Sequence, residues 1–307
     1  MKHDDSATDT HDLHGLEPDN LLAFLAMLGL LRAIETARPV WAPRINWTGV
    51  PPKARLQLAT VTTRDDLLRA TDEGIRALGP AFAFEQQDLT FTAEEYRELF
   101  ASANSQTERV RVLAALGSDG ALKRDSVSIE PTPLCVLFGQ GHQHFLSRLG
   151  AVTARDASDG LEELARALFE EWQYADTGDS FRWDPIEDRR YAHQAGDPSV
   201  GTNKLGTVAG ANRLAAIGFA EITTAPTQRG LVTLGVSGRR GECEVCWPIP
   251  SVPTRLVGYL ALLEHPHLSQ PDKAPLLKAY GVTAVARARR YQVGKFFNFE
   301  RARLQVL

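Results

Sequence analysis

The chain has 307 residues, of which 43% are hydrophobic and 23% are charged, and its formal net charge is -4. This composition is typical of a globular protein with one large core or two modest ones. No apolar run reaches the roughly 18 to 20 residues that a membrane helix requires. The first residues lack the basic and apolar regions of a secretory signal. With three cysteines, the sequence predicts a cytoplasmic protein without structural disulfides.

The N-terminal residues 1–14 are polar and rich in Asp and His, which predicts a disordered tail. Pro18 and Asp19 then introduce a helix over 21–37, whose apolar positions extend around the whole helix, as expected at the centre of a core. Further helices are predicted at 64–78, from Thr92, at 106–116, through Leu149, and at 162–172, 211–221, 253–263 and 274–280. Strands are predicted at 44–48, 54–61, 81–91, 127–129, 134–138, 230–236, 242–247, 282–293 and 295–306.

The predicted fold class is α+β, because the helices and strands do not alternate as they do in a doubly wound sheet. It comprises mixed helices and antiparallel strands, with an N-terminal buried helix and a C-terminal β-hairpin that turns at Gly294. Residues 15–307 are predicted to form a single α+β unit. If this unit has two lobes, the sequence favours a division near 175–180.

The stretch from Phe181 to Ala220 combines a charge cluster, a glycine-rich segment over 196–210 and an apolar helix. A glycine-rich loop that leads into a helix N-terminus favours phosphate binding, although a plain surface loop before a capped helix has the same pattern. The segment from Gly201 to Thr207 has the glycine spacing of a P-loop but lacks its lysine. A dinucleotide fingerprint that starts at Gly139 lacks its third glycine. No cofactor is therefore predicted.

Two groups of residues could support other chemistry. Cys243 and Cys246 form a CxxC pair, which needs two more ligands, such as His265 and His267, to hold zinc. The predicted strand would turn the two thiols to opposite faces, so whether they bind a metal stays open. Acid–base or metal-assisted hydrolysis would use the carboxylates of the charge cluster with His193. Interleaved arginines instead favour a structural brace, made of Asp184, Glu187, Asp188, Arg189 and Arg190.

Charge is distributed unevenly along the chain, which bears on the class of partner. Residues 1–20 carry six carboxylates against Lys2, whereas the last 27 residues carry six cations against Glu300. Cations and aromatic residues alternate in this C-terminal segment, a pattern that suits contacts with phosphates and bases. A hairpin with a solvated arginine face and a buried aromatic face has the same pattern.

Four segments together resemble a known family: GLEPDNLLAFLAMLGLL at 15–31, GQGHQHFL at 139–146, RWDPIEDRRY at 182–191 and GANRLA at 210–215. The chain resembles the large-subunit family of type I-G (formerly I-U) CRISPR surveillance complexes, from its first helix to its last hairpin. Large subunits of this class check the protospacer-adjacent motif (PAM), help to open the duplex and favour recruitment of the helicase–nuclease. The chain departs from the family in its shortness and in having no recognisable terminal four-helix bundle.

The resemblance implies a non-catalytic subunit of an RNA-guided antiviral complex. Its partners would be other CRISPR subunits, guide RNA, target double-stranded DNA and the helicase–nuclease, and its cofactors none. Guide pairing reads most of the target, which leaves a short duplex element to the protein. The alternatives are a metal-dependent nuclease or hydrolase that uses Asp184, Glu187 and Asp188, and a scaffold subunit without DNA contact.

The candidate nucleic-acid-binding residues follow from side-chain chemistry, not from the family. Reading a base pair requires a few positioned donors, and the glycine-rich loop and the helix after it offer Asn203, Lys204, Asn212 and Arg213. The predicted phosphate contacts in the C-terminal hairpin are Arg287, Arg289, Arg290 and Lys295.

Overall fold

The structure, a computed structural model, describes residues 9–103, 105–138, 144–154, 157–187, 206–228, 230–239, 242–293 and 296–307. Its helices are α1 (Leu21–Ala37), α2 (Arg64–Leu78), α3 (Ala93–Ser102), α4 (Thr107–Leu116), α5 (Phe145–Thr153), α6 (Ala157–Phe169), α7 (Ala209–Phe219) and α8 (Leu256–Glu264). Short 3-10 helices lie at Pro39–Trp41, Gly79–Phe82, Pro185–Glu187, Pro266–Ser269 and Ala274–Tyr280. None of the helices in these ranges is long and apolar enough to cross a membrane.

The strands are β1 (Asp9–Leu13), β2 (Arg44–Thr48), β3 (Lys53–Leu58), β4 (Gly117–Leu122), β5 (Ile129–Pro131), β6 (Thr224–Thr227), β7 (Gly230–Thr233), β8 (Val236–Arg239), β9 (Glu242–Pro250), β10 (Val282–Val293), β11 (Phe296–Phe299) and β12 (Arg303–Val306). One sheet has the order β1-β3-β2 and another β11-β10-β9-β8, with β12 also paired to β10. Strands β4 and β5 form a two-stranded sheet, as do β6 and β7. All of these pairings are antiparallel, and the predicted α+β fold class is confirmed.

Helix α1 is the central element of the core. Its N-cap Asn20 accepts hydrogen bonds through Oδ1 from the backbone N–H groups of Leu22 (2.9 Å) and Ala23 (3.3 Å), which satisfies donors left open at a helix start. The helix is buried continuously from Leu21 to Leu31, as the apolar pattern predicts. The buried apolar side chains form one contiguous cluster that extends from Leu13 to Ala302. The chain segments on the two sides of 175–180 therefore share a core.

The N-terminal tail is a correction to the sequence prediction. Residues 9–13 form β1, which pairs with β3 in a register that places Asp9 opposite Leu58 and Leu13 opposite Ala54. Leu13 is fully buried. A polar strand of this kind has no strong local signal, since its stability depends on the partner strand and on burial of its inner face. Residues 1–8 lie outside the described residues.

The segment 81–91 is a second correction, because it contains no strand. It begins within the 3-10 helix Gly79–Phe82 and continues as irregular backbone to the cap of α3. The predicted strand at 134–138 is also irregular backbone, whereas β4 was not predicted. The C-terminal hairpin is present, but its second half consists of β11 and β12, both paired to β10. Short apolar runs do not distinguish strands from buried irregular segments.

Candidate functional site

Four aromatic side chains that contact one another lie within or beside three of the segments that carry the CRISPR resemblance. Trp183 stacks on Phe181 and on Phe219 of α7, with ring centroids 4.5 Å and 5.7 Å apart. Phe145, the first residue of α5, meets the rings of Phe181 and Phe219 edge-on at 5.7 Å and 5.6 Å. All four are buried. Burial of large rings in offset-stacked and edge-on contacts favours one fixed arrangement of these segments.

Hydrogen bonds add a polar connection between the same segments. Asn212 of α7 accepts a hydrogen bond through Oδ1 from the backbone N–H of Phe181 (3.2 Å) and donates through Nδ2 to Thr207 Oγ1 (3.0 Å). Asn20, the cap of α1, donates through Nδ2 to Asp184 Oδ2 (3.0 Å). We call this assembly, made of Asn20, Phe145, Phe181, Trp183, Asp184, Asn212 and Phe219, the four-segment junction.

Asp184 is the carboxylate of the four-segment junction, and it is 2% exposed. Besides Asn20, it accepts hydrogen bonds from the hydroxyl of Tyr174 (3.0 Å) and from the backbone N–H of Ile186 (2.8 Å). Burial raises the pKa of Asp184, and these hydrogen bonds oppose that rise. The cation nearby is Arg301, which is ion-paired with Asp19 at 3.1 Å and with Glu17.

These partners bear on the predicted structural brace. Asp184 does anchor the start of the segment, but through Asn20, Tyr174 and the backbone of Ile186. Of Glu187 only the backbone, within a 3-10 helix, is described. Asp188, Arg189 and Arg190 lie outside the described residues, as does His193. The predicted brace is therefore tested at Asp184 alone, where Asn20 is the partner from a distant segment.

No family model, curated protein or solved structure that was compared with the chain matches it. The CRISPR resemblance therefore stays a prediction.

Two of the four residues predicted to read bases are buried. Asn212 is 1% exposed and its side chain is used inside the four-segment junction. Arg213 is fully buried, where its guanidinium donates to Asp72 Oδ1 (2.8 Å) and to the backbone carbonyl of Gly160 (3.3 Å). Neither side chain is presented at the surface, so both leave the candidate set. Asn203 and Lys204 lie outside the described residues.

Two of the four predicted phosphate contacts are buried as well. Arg287 is buried between strands, where it donates to the carbonyl of Leu268 (2.8 Å) and to Cys246 Sγ (3.2 Å). Arg290 is buried with its guanidinium 3.9 Å from the ring centroid of Phe297. Arg287 and Arg290 therefore also leave the set of candidate phosphate contacts. The net charge of the hairpin sequence includes these two cations, which interact with other groups inside the fold.

Arg289 is the described member of that group that stays exposed. Its guanidinium is ion-paired with Glu300 at 2.7 Å, and its neighbour Arg303 is paired with Glu244 at 3.1 Å. Lys295 lies outside the described residues. Glu300 within the segment and Glu244 outside it thus offset part of the positive charge that the C-terminal sequence suggests.

The described residues offer no site for metal-assisted chemistry. Within the described ranges, no group of three or more His, Cys, Asp or Glu side chains could hold a metal ion. Cys243 and Cys246 are buried, and burial raises the pKa of the Cys246 thiol to about 11. Asp184, proposed for hydrolysis in the nuclease alternative, has its oxygens occupied by protein donors.

The structure also exposes cations that the sequence reasoning missed. Arg44 of β2 and Lys53 of β3 are exposed, and within the described residues neither has a carboxylate oxygen within 4.0 Å. The available signal is the recurrence of a polar residue at every second position of these two strands, which places those residues on one sheet face.

We expect Asp184→Asn to change how the free energy of unfolding depends on pH. Because burial raises the pKa of Asp184 above the ordinary 3.8, the folded chain keeps this proton where the unfolded chain has lost it. Asp184 therefore contributes stability at low pH, and the contribution declines as pH rises through the raised pKa. Urea titrations should show the stability of the unsubstituted protein, relative to the variant, falling as pH rises above 3.8.

Asp125→Asn is the matched control, with the opposite sign. Backbone N–H groups of Val127 and Ser128 hold the pKa of Asp125 below 3.8, so its contribution is present above 3.8 and is lost as pH falls. A relative stability that does not change with pH for Asp184→Asn would contradict the raised pKa.

Proposed function

We propose that this chain is a non-catalytic subunit of a type I-G RNA-guided CRISPR complex. In this role it reads the PAM and supports target DNA binding and recruitment of the helicase–nuclease, in contact with guide RNA and other subunits. The work of such a subunit is recognition, since guide pairing supplies most of the sequence specificity. The proposal places the protein in the cytoplasm, where guide RNA and invading DNA meet.

The observation that supports the proposal is the four-segment junction. The resemblance rests on segments that are distant in the sequence and that meet in the folded chain. In the folded chain, Asn20 of the first segment is bonded to Asp184 of the third. Phe145 of the second segment contacts the ring of Trp183, with centroids 6.3 Å apart, and Asn212 of the fourth is bonded to the backbone at Phe181. The likeness is therefore carried by residues that depend on one another.

Co-purification tests the assignment. The tagged full chain is co-expressed with a CRISPR array and the remaining type I-G subunits, and the captured material is analysed for protein and for small RNA. We expect the chain to elute with guide RNA and the other subunits in one particle by size exclusion. A chain that elutes alone while the other subunits assemble with guide RNA contradicts the proposal.

Target binding by that particle tests the reading role. Asn203 and Lys204 stay predicted contacts, and we expect the double variant Asn203→Ala/Lys204→Ala to weaken binding of a duplex with the correct PAM. The salt slope of log K should become shallower by about one, the change expected for one lost phosphate contact. Lys278→Ala, an exposed lysine on the 3-10 helix at 274–280, is the charge-matched control. Equal binding by both variants would contradict the reading role.

A scaffold subunit without DNA contact is the second candidate function. The burial of Asn212, Arg213, Arg287 and Arg290 and the pairing of Arg289 with Glu300 favour it, because these side chains are used within the protein. It predicts that the chain assembles with guide RNA, while the Asn203→Ala/Lys204→Ala particle binds target DNA with unchanged affinity and salt slope. The two candidates thus differ in a single titration.

A further inference from the structure

The three-stranded sheet has one face turned away from the core. Its register places Thr10 of β1, Gln57 of β3 and Arg44 of β2 in one row across the strands, and Asp12, Arg55 and Asn46 in the next. A third row pairs Lys53 with Thr48. We call these eight residues the outer sheet face. The alternate positions of the same strands, among them Leu13, Leu56 and Ile45, are buried in the core, as expected of an antiparallel sheet with one solvated side.

The charge on the outer sheet face is positive. It carries three cations and one carboxylate, and that carboxylate, on Asp12, is bonded to Arg55 Nε at 2.7 Å. This hydrogen bond holds the pKa of Asp12 below its ordinary value, so Asp12 and Arg55 neutralise each other down to low pH. Arg44 and Lys53 are left, among the described residues, with no carboxylate oxygen within 4.0 Å. Lys53 acts on Asp12 through its charge without an ion pair, so both cations can still take an external anion as an ion-pair partner.

The spacing of the cations suits a linear polyanion. Lys53 and Arg55 are two residues apart on one strand, which is about 6.7 Å along the sheet. Arg44 lies opposite Gln57, one further step of two residues on the neighbouring strand. Lys53 and Arg55 therefore lie along β3 and Arg44 lies diagonally beyond them on β2, with steps comparable to the separation of successive phosphates in an extended nucleic-acid strand. Thr48 and Gln57 beside them supply neutral hydrogen-bonding groups, whereas Asn46 is buried and donates to the carbonyl of Ser251 (3.1 Å).

We propose that the outer sheet face binds the phosphate backbone of a single-stranded nucleic acid. All eight of its residues are polar, so the face does not suit an apolar partner, and one run of three cations matches one strand. Which strand is bound in the cell, guide RNA or displaced DNA, rests on the proposed function. The contact itself is a property of the isolated chain and is measured there.

The test is fluorescence anisotropy with the full chain and labelled 20-nucleotide probes: single-stranded RNA, single-stranded DNA and a duplex of the same DNA sequence. The variant is Arg44→Ala/Lys53→Ala. The control is Lys273→Ala/Lys278→Ala, which removes the same charge from two exposed lysines elsewhere. Neutralising two phosphate contacts should make the salt slope for single strands shallower by about 1.4. That change corresponds to roughly a 25-fold loss of affinity at 0.1 M salt if affinities converge at 1 M.

The outcomes separate the possibilities. A loss in the outer-face variant that the control lacks, with Lys53→Arg retaining affinity, supports the proposal. Equal losses in both double variants would mean a diffuse charge effect and would overturn it, as would unchanged binding or no binding by the unsubstituted chain. A preference for the duplex would overturn the assignment to a single strand. RNA and DNA arms identify the strand class.

Failure of this proposal is distinguishable from failure of the proposed function. If the outer-face variant binds single strands as well as the unsubstituted chain but the protein still co-purifies with guide RNA, the surface is wrong and the function stands. If the variant loses single-strand binding but no guide-RNA particle forms, the surface stands and the function is wrong. Thermal unfolding of each variant confirms that both substituted chains are folded before binding is compared.

Discussion

Substituting alanine for Gly29 or Gly218 should destabilise the protein by more than about 3 kcal/mol each, the upper range of overpacking. Helices α1 and α7 cross at these two glycines. A Cβ atom on Gly29 would lie 1.8 Å from the backbone oxygen of Leu214, and one on Gly218 would lie 1.9 Å from that of Leu25. Backbone atoms cannot rotate away as a side chain does, so the two helices must separate.

Gly150→Ala is the matched control, since Gly150 also lies in a helix, α5. There an added Cβ would be 3.6 Å from the backbone oxygen of Phe82, which is ordinary contact. Alanine is the better helix former by about 0.5 to 1 kcal/mol, so this variant should keep or gain stability. Urea unfolding of the three variants measures the difference, and a loss below about 1 kcal/mol at Gly29 and Gly218 would contradict close helix packing.

Arg213→Ala should destabilise the protein by about 3 to 5 kcal/mol, because Asp72 Oδ1 loses its buried partner and the volume of a fully buried side chain is emptied. Asp72 provides an internal comparison, since two arginines bind it. Arg213, fully buried, donates to Oδ1 at 2.8 Å, and Arg76, whose side chain is 50% exposed, donates to Oδ2 at 2.7 Å. An exposed pair contributes about 0 to 1 kcal/mol, so Arg76→Ala should have a small effect.

The comparison separates stability from nucleic-acid binding. If Arg213 acted mainly at a DNA surface, Arg213→Ala would unfold at the same urea concentration as Arg76→Ala and would differ from it only in target binding. We expect the reverse, namely a lower unfolding midpoint for Arg213→Ala. Replacing Asp72 and Arg213 together with leucine should recover part of the loss, because no unpaired charge then remains in the core.

Elements with strong local signals could be predicted from the sequence. Helices α1 and α2 have the predicted bounds 21–37 and 64–78. The predicted helix start at Thr92 is a capping box, in which Thr92 and Glu95 bond each other's backbone. The residues that make up such a signal lie within four positions of one another, so the signal can be recognised without knowledge of the tertiary structure.

Features that depend on distant partners could not be predicted. Strand β1 requires β3 beside it. Among the candidate site residues, Arg213 and Arg287 look like free surface cations in the sequence. Their partners, Asp72 and the carbonyl of Leu268, are remote in the chain or belong to the backbone. Net charge of a segment therefore overestimates the charge that a ligand encounters.

The crossing of α1 and α7 has a consequence for biosynthesis. Residues 21–37 leave the ribosome well before residues 209–219 are made, a delay of roughly 10 to 30 s at typical elongation rates. During that interval the nascent chain carries a helix that is apolar on every side and lacks its partner. Such a segment is a ready substrate for chaperones that bind exposed apolar peptides, and its burial against α7 waits until residues 209–219 have been made.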